Sequence, residues 1–132
     1  MISNIEHVSI SIAKPVPVVY EFASKPENLP KWAAGLSGAK IFKEGSTWIS
    51  DSPMGRVKIK FAEPNSFGVM DHDVTIPTGE ITHNAFRVIP NGDGSEVIFS
   101  AVQAKMTKEQ FKKDTTQIKK DLESLKSYLE KQ

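Results

Sequence analysis

The last quarter of this chain carries a helical hydrophobic period, and almost everything before it alternates like strands. From Thr107 onward the apolar residues are Phe111, Ile118, Leu122, Leu125 and Leu129. Those positions form one stripe on one side of a helix. Thr107 and Gln110 match the S/T-x-x-E/Q capping box, which marks the start. About 25 helical residues would measure roughly 37 Å, enough to cross a small domain. A helix that long must bury its stripe somewhere, and a curved antiparallel sheet is the partner the rest of the chain can supply.

Upstream, Val8, Ile10 and Ile12 give a first strand with one buried face across Ile5 to Ala13. Pro15 and Pro17 end it and suit the first turn of a helix. Val18 to Ser24 reads as a short helix burying Val19, Phe22 and Ala23. Glu27 to Trp32 reads as a second, bounded by Pro30, with Ala33 to Leu36 as its exit. Six strands follow: Ala39 to Lys43, Ser46 to Asp51, Arg56 to Phe61, Phe67 to Ile76, Glu80 to Ile89 and Glu96 to Gln103. Their turns fall at Glu44-Gly45, Asp51 to Gly55, Glu63 to Ser66, Pro77 to Gly79 and Asn91 to Gly94. Arg56 to Phe61 alternates most cleanly, with Val57, Ile59 and Phe61 inward. The expectation is an α+β fold in which a curved sheet grips one helix. About seven antiparallel strands wrap the long C-terminal helix, with two short helices after strand 1, in a single domain over residues 1–132.

Bulk chemistry excludes several classes. The 132 residues include 17 basic and 16 acidic side chains, a formal net charge of +1, and no cysteine. Disulfide, zinc-thiolate and thiol-nucleophile chemistry are therefore out. Charge balance argues against a nucleic-acid partner. In the terminal helix, acidic residues interrupt the lysines, and Lys119–Glu123 and Lys126–Glu130 have ion-pair spacing. No apolar run reaches the roughly 20 residues of a membrane span, so no integral membrane association is expected. The N-terminus lacks the basic start and apolar core of a signal peptide, which makes the expected location cytoplasmic. No G-x-S-x-G, G-x-G-x-x-G or P-loop occurs.

Three features resemble the START-like superfamily, also called SRPBCC, Bet v 1-like or helix-grip, within its polyketide cyclase/dehydrase-type group. Val19 to Trp32 looks like the helix-turn-helix insertion with its P-E-N-x-x-x-W signature, here Pro26 to Trp32. The element order matches over essentially the whole chain. The closing strand Gly94 to Ser100, followed by Thr107 to Glu130, completes the likeness. The resemblance implies a hydrophobic cavity between sheet and helix, smaller than in lipid-transfer members because the chain is shorter. It does not imply a reaction.

Asp71-His72-Asp73 is the most polar cluster on a strand. Alternation puts Asp71 and Asp73 on one face and His72 on the other with Met70 and Val74. An imidazole in an apolar cavity would have a lowered pKa and could act as a neutral base or hydrogen-bond partner. A core histidine satisfied by a backbone carbonyl explains the pattern equally. A metal is not expected, because the carboxylates face away from the imidazole, and no cofactor is implied. A three-residue loop, Pro77 to Gly79, pairs His72 with Asn84 and Met70 with Phe86. A two-residue loop would turn His83 and Arg87 inward instead. The first is preferred, because Phe86 and Val88 then join the core. Trp32 and Trp48 are aromatics at the cavity rim, with Trp48 in phase with Ser46 and Ser50. Tyr20 offers a hydroxyl, though packing explains it; Asn65 reads as a turn residue.

The candidate ligand-contacting set is therefore Trp32, Trp48, Ile59, Phe61, Met70, His72, Asn84, Phe86, Phe99, Ile118 and Leu122. The expected function is binding of a small hydrophobic molecule, lipid-, polyketide- or aromatic-like. Two alternatives stand beside it: a cyclase/dehydrase-like enzyme with His72 as general base, and a protein-interaction module. The expected assembly is a monomer or weak homodimer.

Overall fold

The computed structural model describes residues 1–36, 39–52 and 55–132. Its strands are β1 (Ile5–Ile12), β2 (Lys40–Glu44), β3 (Thr47–Ser52), β4 (Gly55–Phe61), β5 (His72–Thr75), β6 (Ile81–Asn91) and β7 (Gly94–Val102). They form one antiparallel sheet in the order β1-β7-β6-β5-β4-β3-β2. Among the described residues, three α-helices complete the fold: α1 (Val16–Ala23), α2 (Leu29–Trp32) and α3 (Lys108–Glu130). This is the helix-grip architecture expected from the alternation and the terminal stripe.

Helix α3 begins where its capping chemistry says it should. Thr107 accepts from the Gln110 N–H, and Gln110 accepts from the Thr107 N–H. Phe111, Leu122, Leu125 and Leu129 are buried, and Thr115 fills the gap in the stripe between Phe111 and Ile118. The helix rests on β1, on β7 and on α2. Lys126 pairs with Glu130 at 2.8 Å. Lys119 and Lys126 also reach the carbonyls of Ser9 and Ser11, at 2.9 and 2.7 Å, which covers the free edge of β1.

Two local expectations need correction, and a third lies partly outside the described residues. Pro30 does not bound the second helix. A 3-10 turn at Pro26–Asn28 leads into α2, and Pro30 sits in its first turn, where no N–H is required. The strand expected from Phe67 begins only at His72. Asn65 governs the stretch before it: its Oδ1 accepts from Phe67 N and Val69 N, and its Nδ2 donates to Glu63 O and Val69 O. Gly68 holds φ at +72°, and a Cβ there would strike the Val88 carbonyl oxygen, so a side chain is excluded. Phe67 is left 80% exposed. Finally, of the turn expected at Asp51 to Gly55, Pro53 and Met54 lie outside the described residues, while Ser52 and Gly55 pair on either side.

The core is the concave sheet face packed against the helices. Val19, Phe86, Val97, Leu122 and Leu125 have no measurable exposure. Because α3 lies toward β1 and β7, the concave face of β4, β5 and β6 is not covered by it in the same way, and the candidate site begins there.

Candidate functional site

The β5–β6 hairpin sets the polar end of the site. Ile76 donates to Glu80 O and Gly79 donates to Ile76 O, closing a three-residue loop at Pro77 to Gly79. The register that follows pairs His72 with Asn84 and Asp73 with His83. His72 and Phe86 therefore point inward and are buried, while Arg87 stays outside.

One rung beyond that hairpin, the ladder is rewired by side chains. Met70 N still donates to Phe86 O at 2.8 Å. The return bond is replaced. Phe86 N donates to the Asp71 carboxylate at 2.9 Å, and the Met70 carbonyl lies 3.0 Å from Nδ1 of His72. A carbonyl only accepts, so Nδ1 carries the proton. In the neutral ring Nε2 then keeps its lone pair. Burial holds the His72 pKa below its ordinary value, against the opposing pull of the Met70 carbonyl and the Asp71 charge. The imidazole stacks on Phe61 at 4.5 Å and meets Phe86 and Phe99 edge-on at 5.9 and 6.2 Å. Nε2 is 3.4 Å from the Asn84 amide nitrogen, a long contact.

A pocket of about 290 Å³ opens in front of this pair. Leu29, Trp32 and Leu36 wall it on the short-helix side. Val57, Ile59, Val74 and Ile76 form its sheet floor with His72 and Asn84. Phe99, Ile118, Asp121 and Leu122 close it from β7 and α3. Among the described residues no lysine or arginine lines it, and Asp121 is its only charged group. Asp121 accepts from Ala34 N at 3.1 Å and from Gln117 at 2.9 Å, which ties α3 to the turn after α2.

The expected contact residues thus divide. Trp32, Ile59, His72, Asn84, Phe99, Ile118 and Leu122 border the pocket. Met70 and Phe86 lie behind its wall, 1% and 0% exposed, with Phe86 stacked on Trp32 at 5.8 Å. Phe61 backs His72. Trp48 is elsewhere, in a separate cleft with Tyr20, Lys43, Lys60 and Phe61. The Tyr20 hydroxyl is also engaged away from the pocket, accepting from Asn65 N at 3.0 Å. Leu29, Leu36 and Asp121 were not foreseen. Leu29 and Leu36 stand on short turns that give no periodic signal; Asp121 flanks the stripe three residues after Ile118. Among the described residues, two buried side-chain polar atoms have no hydrogen-bond partner, Trp32 Nε1 and Ser50 Oγ. Among the described residues no group of three or more His, Cys, Asp or Glu could hold a metal ion, and no helix is long and apolar enough to cross a membrane.

No family model and no curated protein matches the sequence. Solved structures match in shape. A conserved protein from Geobacillus kaustophilus superposes with a TM-score of 0.74 at 13% identity, over 97% of this chain and 96% of that one. Ara h 8.0201 gives 0.71 at 11% identity, over 98% and 99%. DynU16, from the dynemicin biosynthetic locus, gives 0.73 at 13% identity; 96% of this chain is covered, but it spans only 47% of DynU16. The fold is Bet v 1-like, as the resemblance implied, and at these identities the likeness extends to the fold alone.

Proposed function

We propose that this protein binds a small, mostly apolar molecule between the sheet and α3, with one polar end of the ligand at His72 and Asn84. The single observation that carries this reading is a buried imidazole, its Nδ1 proton committed to the Met70 carbonyl and its Nε2 lone pair in only a long contact with Asn84, at the end of a mostly apolar pocket. Likeness to Ara h 8.0201 and DynU16 agrees with it at the level of the fold.

Native mass spectrometry of freshly purified protein is the first test. The expected result is excess mass that disappears on denaturation and identifies the molecule by fragmentation. Phe99→Trp should fill the pocket and abolish that excess while the far-ultraviolet circular dichroism stays unchanged. Retention of the bound mass in the filled variant counts against this site.

The same lone pair favours one second reading, a cyclase/dehydrase-like enzyme with His72 Nε2 as general base. The two readings separate on His72→Gln. A catalytic base predicts lost turnover with ligand affinity kept, whereas a binding contact predicts lost affinity.

A further inference from the structure

The pocket's charge and hydrogen-bond inventory narrows what it can accept. This step rests on the binding reading above. Three facts bear on it. No cation lines the pocket among the described residues, so an anionic head group would lose its water without gaining a counter-ion. Among the described residues the only charged wall group is the Asp121 carboxylate, pinned by Ala34 N and Gln117, and it repels anions. At the polar end, His72 Nδ1 is committed to the Met70 carbonyl, which leaves Nε2 as an acceptor. The Asn84 amide beside it has no partner other than that imidazole among the described residues, so its carbonyl oxygen is a second acceptor. The ligand's polar end therefore meets two acceptors, His72 Nε2 and Asn84 Oδ1, beside the Asn84 amide nitrogen, which makes only a long 3.4 Å contact with Nε2.

We infer that the pocket selects an uncharged ligand whose polar end donates a hydrogen bond, a phenol or alcohol, and rejects carboxylates such as fatty acids. A hydroxyl there would donate to His72 Nε2 and accept from the Asn84 amide. An ether would leave the imidazole lone pair with only its long Asn84 contact, and a carboxylate would face both acceptors and Asp121 with no cation to neutralise it. A site built around a buried polar group discriminates against ligands that leave the group unpaired far better than an apolar wall discriminates by size.

Four matched probes test this by titration calorimetry at pH 7.5: naphthalene, 2-naphthol, 2-methoxynaphthalene and 2-naphthoate. The expected order is 2-naphthol tightest, the methyl ether about tenfold weaker or more, and the carboxylate weakest. Asp121→Asn should recover part of the carboxylate binding. His72→Leu, where it folds, should bring 2-naphthol and its ether to similar affinity, whereas Asn84→Leu should weaken both and keep 2-naphthol the tighter. If naphthalene binds but the ether equals 2-naphthol, or the carboxylate binds best, the pocket is a ligand site and the selectivity inferred here is wrong. If none of the four binds, naphthalene included, the binding reading fails and this inference fails with it.

Discussion

Two histidines on neighbouring strands of one hairpin occupy opposite electrostatic worlds. His72 faces inward, buried among Phe61, Phe86 and Phe99, and its one strong partner is a backbone carbonyl. His83 faces outward, with Nδ1 2.6 Å from Asp73 and Nε2 3.9 Å from Asp71. Arg87 completes that outer cluster, bonding Asp71 at 2.9 Å. The inner face is held by packing and the outer by charge. Asp71 joins them: its carboxylate takes both Arg87 on the surface and the N–H of buried Phe86. What separates the two environments is strand parity, because consecutive side chains point to opposite faces.

Breaking the inner face should have the largest effect. Phe86→Ala removes the ring that supports both Trp32 and His72, and should cost about 3–5 kcal/mol in denaturant-monitored stability. Asp71→Ala comes next, at about 1–3 kcal/mol, because the buried Phe86 N–H loses its acceptor. Arg87→Met should cost about 1 kcal/mol or less, since the guanidinium is an exposed partner, and that small effect should vanish near 1 M salt. If Arg87→Met proved as costly as Asp71→Ala, the outer ion pair, rather than the bond to Phe86, would be what Asp71 contributes.

Acid sharpens the same contrast in direction. His72 is buried neutral with its pKa lowered from 6.5, chiefly by desolvation. Unfolded chains then bind a proton that the native state refuses. Its contribution is therefore intact above about pH 6.5 and declines as pH falls from there through the lower folded value. His72→Leu should erase that limb in a melting-temperature profile. For Asp71, burial pushes the pKa up, but the Arg87 and Phe86 hydrogen bonds and the positive neighbours prevail and hold it below 3.8. Its contribution is present above 3.8 and is lost as pH falls through the lower folded value. The two faces should thus begin to lose stability at different pH, the inner one first as pH falls.

Much of this arrangement was legible beforehand because it is local. The capping box at Thr107, the α3 stripe and the inward parity of Val57 and Ile59 follow from residue spacing. So does the pairing of His72 with Asn84, since a three-residue loop at Pro77 leaves one register that buries Phe86. The approach to β5 was not legible. Residues 67 to 71 read as a strand, but Asn65 and Gly68 impose a turn there, which leaves Gly68 and Met70 joined to β6 by single backbone bonds rather than a continuous ladder. Trp48 misled for a different reason. Its parity is inward, as its pairing with Ile59 requires, yet inward there leads to a second cleft beside Tyr20.

By itself the sequence determined which residues turn toward the interior, because periods of 2 and 3.6 are properties of adjacent residues. Tertiary structure alone decided which of those interior residues border open space. A pocket is what remains after distant elements have packed, and here α3 settles on β1, β7 and α2. That choice leaves Ile59, His72 and Asn84 facing the space while Met70 and Phe86, of the same parity, are sealed behind it. No spacing along the chain encodes the difference, since it depends on how far apart two surfaces come to rest.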